Sequence, residues 1–356
     1  MGSPGPRSTV ELGTIVIAGA MPNVSGQPLS GTGKHSLSSL PRSYPVALWE
    51  LLGKSVLQRI VDRLRGTGEQ LVSVVPNEGG SAADEEAWER TFLEYAHHGV
   101  ERILLVSLGA YSEFQLDDLL AFHRSTNSQV TNLTDEQGAL GISLIEAKCA
   151  NGGASSLRSR LSAFSSCSFT YEFNGYSNRL ADPGDYRRLV QDALAGRCEI
   201  KPVGQEIRPS TWCGSGARVS ALARVFAPAY IGLRARVHAG ALVASGTSIE
   251  QRSEVDCGTV VQNSSILPRT YLGPGLHVSQ SVVSGSRVVH LGRKIDVELA
   301  HTGLLSRKGP SAPSRMLESL GSFFGAFGTD FGPGMSTPSR TPASVDWVRS
   351  NGFFGS

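Results

Sequence analysis

The chain lacks strong net charge: 33 Lys and Arg face 31 Asp and Glu, a formal +2 over 356 residues. That balance supplies neither the basic surface that nucleic acid demands nor a polybasic membrane patch. Long apolar runs are missing too. No stretch approaches the ~18 residues that cross a bilayer. The opening MGSPGPRSTVELGTIVIAGAM holds no apolar run long enough for a secretory signal. The five cysteines (Cys149, Cys167, Cys198, Cys213 and Cys257) are odd in number and show no Cys-x-x-Cys spacing. This argues against a disulfide framework or a zinc site and fits a reducing compartment. The expectation is a soluble cytoplasmic protein with no bound metal, no nucleic-acid partner and no membrane span.

What the chain does have is a six-residue period. Val219, Val225, Ile231, Val237, Val243, Ile249, Val255 and Val261 recur at that interval, all β-branched aliphatics. Four residues after each comes a small one: Ala223, Ala229, Ala235, Ala241, Thr247, Ser253, Thr259 and Ser265. A triangular coil of three six-residue rungs explains both columns. One aliphatic per rung points into a narrow interior, and only small side chains fit near the corners. An antiparallel sheet would show a period of two and leave the small column unexplained. The spacing predicts a short left-handed parallel β-helix over 217–266, with a bulge at Leu267–Pro268 where the period slips. Its ends need capping by other parts of the chain or by another subunit.

Upstream, short apolar runs at 14–18, 71–75 and 103–106 alternate with helical patterns at 55–64, 84–98 and 116–124. Ser55 reads as the N-cap of the first helix, and Gly99 as the stop of the second. This rhythm predicts a mixed, mostly parallel sheet covered by helices, with ligands expected at the loops after the strands. The domains are expected at 1–205 (α/β), 206–305 (β-helix) and 306–356. The last is Gly, Ser, Pro and Phe-rich and expected to be mostly disordered.

Four segments resemble the sugar-phosphate nucleotidyltransferases, the family of mannose-1-phosphate guanylyltransferases and glucose-1-phosphate nucleotidyltransferases. Val16-Ile17-Ala18-Gly19-Ala20 is similar to the strand entering the family's glycine-rich nucleotide loop. Residues 44–64 resemble the segment in which the family's Gly-Lys-Pro turn starts the next helix, here Gly53-Lys54-Ser55. Residues 104–124 resemble its strand, metal-bearing turn and helix, and GYSNRLADPGDYRRLVQDALAG at 175–196 resembles its GYWxDIGTPxxY segment. The resemblance implies a Rossmann-like, GT-A-like domain ahead of the β-helix. It also implies a reaction joining a nucleoside triphosphate to a sugar 1-phosphate with release of pyrophosphate. That chemistry needs a phosphate-cradling loop with an arginine, a lysine, and two carboxylates holding Mg2+.

The matching positions have lost those groups. The loop after Gly19 has no Gly-x-Gly-Thr-Arg core, Val46 stands where the family has its lysine, Gly109 where it has the first metal aspartate, and Arg179 where it has the second. A cation at a metal-ligand position inverts the local charge. The expectation is therefore a degenerate family member, kept for binding, assembly or regulation in sugar-nucleotide and polysaccharide synthesis. It needs no cofactor; Mg2+ enters only if the chain is an active nucleotidyltransferase with relocated residues. Gly19, Lys34 and Arg42 are the weak candidates for phosphate contacts, with Lys34 closing a Gly31-Thr32-Gly33 run short of a P-loop. A nucleotide or nucleotide sugar is the expected ligand, and a homo-oligomer or a complex with a related enzyme the expected assembly.

Other residues invite weaker readings. Lys54 could meet a phosphate. Glu113, Asp117 and Asp118 come after the third strand, but carboxylates opening a helix favour its dipole anyway. Hexapeptide solenoids also carry acyltransferases that use a histidine base, for which His238, His277 and His290 are the candidates. As a default each is a surface residue of the solenoid.

Overall fold

The computed structural model describes residues 11–18, 49–65, 71–76, 82–150, 168–299 and 303–307. The chain divides into two compact units: Met1–Asp192 with Gly196–Ile200, and Ala193–Ala195 with Lys201–Ser356. The expected tail beyond Arg307 lies outside the described residues.

The first unit is a mixed α/β sheet. In chain order its elements are β1 (Leu12–Ala18), the hairpin β2 (Glu50–Leu51) and β3 (Lys54–Ser55), α1 (Val56–Arg65), β4 (Leu71–Pro76), α2 (Ala82–His97), β5 (Arg102–Ser107), β6 (Tyr111–Ser112), α3 (Leu116–Ser125), β7 (Val130–Asp135), β8 (Gly138–Glu146), β9 (Phe169–Glu172), β10 (Ser177–Asn178) and α4 (Pro183–Leu194). The main sheet runs β4-β1-β5-β8-β7-β9. β4 and β5 pair parallel to β1, β8 runs antiparallel to both β5 and β7, and β9 rejoins parallel to β7. Successive residues Thr14, Ile15, Val16 and Ile17 are all buried, so β1 is covered on both faces.

Local signals explain the helices. Ser55 accepts the Gln58 N–H at 3.1 Å, capping α1, whose buried face is Val56, Ile60, Val61 and Leu64. From α2, Trp88, Phe92 and Tyr95 pack with Ile15, Ile17, Ile103 and Leu105. α2 ends where Gly99 turns left-handed, at φ +81°. Asp182 accepts the Asp185 N–H at 2.8 Å and Pro183 opens α4, the usual pairing at a helix start.

The second unit contains a three-sided coil of parallel strands. Val219 stands beside Val237 and Val237 beside Val255, so each coil takes 18 residues. The first sheet stacks Thr211–Cys213, Ala229–Ile231, Thr247–Ile249, Ser265–Ile266 and Ser281–Ser284. Consecutive strands visit the three sheets in turn, a β-helix-like winding. The aliphatic column forms one core from Val219 through Ile249 and Val261 to Val283.

Two features differ from the expectation. The winding outlasts residue 266, continuing through Thr270–Leu272, His277–Ser279 and Ser281–Ser284. The period shortens at Gln262–Asn263, not at Leu267–Pro268. There a corner spanning Ala244, Ser245 and Gly246 one coil earlier loses a residue, and the register becomes 17 residues (Ser248 beside Ser265, Glu254 beside Tyr271). Asn263 makes the tighter turn with φ 47°.

The small column does more than fit. In the later coils it is hydroxylic, and its buried hydroxyls donate to backbone carbonyls of the next coil. Ser253 bonds the Leu267 carbonyl at 2.8 Å, and Thr259 bonds that of Gly273 at 2.5 Å. Both also accept an N–H, from Thr270 at 3.2 Å and Leu276 at 3.1 Å. Corner groups that would otherwise be buried unpaired are satisfied in this way. The coil closes on an antiparallel hairpin, Arg287–His290 with Ile295–Glu298, while Leu305–Arg307 pairs antiparallel with Thr270–Leu272.

These contacts set the cost of substitutions in urea melts. Ile249→Ala, at a site with no exposure, should cost about 2–5 kcal/mol. A Cβ at Gly232 would meet the Gln251 nitrogen and the Glu250 carbonyl carbon at 2.7 Å, backbone atoms of the next coil. Gly258→Ala meets nothing and carries only the strain of φ +68°, about 1–2 kcal/mol. Gly232→Ala should therefore destabilise more than Gly258→Ala.

Candidate functional site

The loops beyond β1, β4 and β5 are where an open α/β sheet binds ligands. Gly19, Lys34, Arg42 and Val46 lie outside the described residues. Gly109 and Arg179 lie within them, on the segments that flank a short strand pair. β6 pairs antiparallel with β10, Ser112 beside Ser177 and Tyr111 beside Asn178. Arg179 directly follows β10, and Gly109 comes two residues before β6. Gly109 is exposed, and a side chain built there would meet nothing within 4 Å.

Arg179 points its charge into the protein. Its guanidinium pairs with Asp135 and donates to the carbonyls of Ala139 and Gly138, the latter at 3.0 Å. Asp135 also accepts the Ser177 hydroxyl at 2.7 Å and the Gln137 N–H at 2.9 Å. Burial works to raise the Asp135 carboxyl; the Ser177 and Gln137 hydrogen bonds and Arg179 outweigh it and hold it below its ordinary value. Arg179 is thus a clamp between the β7–β8 turn and β10.

The neighbouring candidates also have structural duties. Lys54 pairs with Asp62 at 2.7 Å. Glu113 accepts the Tyr111 hydroxyl at 2.9 Å and the Glu199 N–H at 2.6 Å. Burial raises its carboxyl despite those bonds. Asp117 and Asp118 are exposed in the first turn of α3. His98 bonds the Glu94 carbonyl at the end of α2.

On the solenoid the three histidines separate. His277 is exposed and His290 half-buried in the closing hairpin. His238 is half-buried with Nε2 at 2.6 Å from Glu254 Oε1. One ligand atom each from His238, Asp256 and Cys257 lie within 4.8 Å of one another. The cysteine spacing hides this group because its members sit on successive coils. The 18-residue coil was the signal that could have found it, since Asp256 is 18 residues after His238. The Cys257 thiol is raised by burial and by its hydrogen bond to Asp256.

No family model matches the chain, and no curated protein matches it significantly. Among the described residues no helix is long and apolar enough to cross a membrane.

Removing the Arg179 clamp tests its role. Arg179→Met should cost about 2–4 kcal/mol, because a largely buried carboxylate and two carbonyls lose their donor. The unfolded chain protonates Asp135 at a higher pH than the folded one. The clamp's contribution is therefore present above about pH 4 and lost as pH falls through the lowered folded value. Denaturant midpoints measured across that acid range should fall less steeply in Arg179→Met than in the parent.

Proposed function

We propose that the chain is a degenerate relative of the sugar-phosphate nucleotidyltransferases that acts by binding or assembly in sugar-nucleotide metabolism rather than by nucleotidyl transfer. In this reading the first unit is a GT-A-like domain and the second a left-handed β-helix. The observation carrying it is the pair of positions Gly109, before β6, and Arg179, after β10. Gly109 offers no ligand, and Arg179 is spent on Asp135 and two carbonyls. A Mg2+ there would find no carboxylate at either position. Asp135 is already neutralised by Arg179, and Glu113 accepts the Tyr111 hydroxyl and the Glu199 N–H.

The assembly part rests on the first coil of the solenoid. Leu222 is 74% exposed and Phe226 51%, on neighbouring rungs. Large apolar side chains that open to water are suited to a protein contact.

Two measurements test the reading. The purified chain, given each nucleoside triphosphate, Mg2+ and a panel of sugar 1-phosphates, should release no pyrophosphate above a heat-killed control. Release above that control would mean an active enzyme with relocated residues. Acetyl-CoA turnover lost in His238→Ala would instead mark a hexapeptide acyltransferase. In sedimentation velocity, the parent should run as an oligomer and Leu222→Lys/Phe226→Lys as a folded monomer. Unchanged sedimentation of that variant would remove the solenoid-contact reading.

A further inference from the structure

The solenoid holds a constellation that the proposed function does not use. His238, Asp256 and Cys257 offer an imidazole nitrogen, a carboxylate oxygen and a sulfur, all mutually within 4.8 Å. Mixed N, O and S donors suit Zn2+ and its borderline-soft neighbours, whereas Mg2+ and Ca2+ take oxygen.

The coil builds the group. Val237 and Val255 are in register and point inward, and His238 N–H donates to the Val255 carbonyl at 2.9 Å. His238 and Asp256 therefore emerge at the same edge one coil apart, and Cys257 comes directly after. The His238 and Asp256 donors are braced. Glu254, beside Val255, holds the imidazole through Nε2 at 2.6 Å, the carboxylate–histidine arrangement that orients ligating histidines. Asp256 Oδ2 accepts the Tyr271 hydroxyl at 2.6 Å, and Oδ1 accepts the Cys257 N–H at 2.7 Å.

Charge is the second, independent observation. Asp256 is 6% exposed, yet the partners of its carboxylate oxygens are neutral, and it forms no ion pair with a described residue. A buried carboxylate served only by neutral donors has no counter-charge from a neighbouring side chain. A cation between Asp256, His238 and Cys257 would offset it.

We propose that His238, Asp256 and Cys257 bind one Zn2+-class ion, with Glu254 positioning His238 and a fourth coordination place left open. Bond lengths of about 2.0–2.3 Å put tetrahedral donors about 3.5 Å apart, inside the 4.8 Å within which these atoms lie. The Cys257 thiol proton leaves to solvent as the sulfur–metal bond forms. The ion ties two successive coils together. This inference stands apart from the nucleotidyltransferase reading, since it concerns only solenoid residues.

The test uses the full chain, free of any histidine tag and stripped with chelator, then titrated with Co2+ and afterwards Zn2+. One Co2+ per chain should bind, with a thiolate-to-cobalt charge-transfer band and tetrahedral d–d absorption, both removed by Zn2+. Cys257→Ser, at an exposed residue and checked for fold by circular dichroism, should abolish the charge-transfer band. Glu254→Gln should weaken binding about 10–100-fold. No charge-transfer band in the folded parent would overturn the proposal, as would a band undiminished in Cys257→Ser.

Discussion

Inside the solenoid each aliphatic side chain is kept dry by the ones a coil above and below it. Val237 sits between Val219 and Val255, and Val243 between Val225 and Val261. Burial of this column is the favourable term that offsets the entropy of ordering so many short rungs. It forces the coil length, because a rung of another length would swing an aliphatic out of the stack. Fixed coil length then makes columns of everything else. Positive-φ corners repeat as Gly240, Gly258 and Gly275 at one edge and as Arg234, Arg252 and Arg269 at another. Small hydroxyls line up where backbone carbonyls need donors, and His238 comes to lie over Asp256. Where the shortened corner at Asn263 changes the register, the column survives because the missing residue is taken from a turn rather than a strand. Ile266 still stacks on Ile249 and Leu272 on Val255. The antiparallel hairpin after Ser284 then ends the stack by pairing its last edge, so the closing strand is part of the same unit and not a separate tail.

The α/β unit answers to a different constraint. Its central strands are buried on both faces, and several of the charges beside them are paired. Arg179 with Asp135 is one such pair. Arg102 with Glu146 is another at 3.0 Å, and Glu146 also meets the buried His123 at 3.2 Å. Burial lowers the His123 pKa, which keeps the ring neutral where an exposed one would begin to charge. Arg179, just past β10, is therefore a charge turned inward and used to hold a turn.

Much of this was legible in the residues. The period of six located the rungs, Ser55 and Gly99 marked helix ends, and the apolar runs marked β1, β4 and β5. Those signals are local, written in spacings of one to six residues. The slip was misplaced by sequence because a corner residue has no inward side chain to count. The hydroxyl column read only as small, since size and hydrogen bonding are indistinguishable in a list of Ala, Ser and Thr. The role of Arg179 depended on Asp135, 44 residues earlier, which no local pattern connects to it.

Sequence alone determined that an inward aliphatic and a small residue recur every six positions, because side-chain volume in a narrow coil admits little else. It also set Gly109, Arg179 and Val46 in segments whose resemblance to sugar-phosphate nucleotidyltransferases would call for metal and phosphate ligands there. Only tertiary structure decided that Arg179 turns inward to a carboxylate. The same holds for His238, Asp256 and Cys257 meeting at one edge of the solenoid. Those contacts are set by stacking one coil on the next, and by pairing strands across a sheet, both of which join residues that the chain keeps far apart.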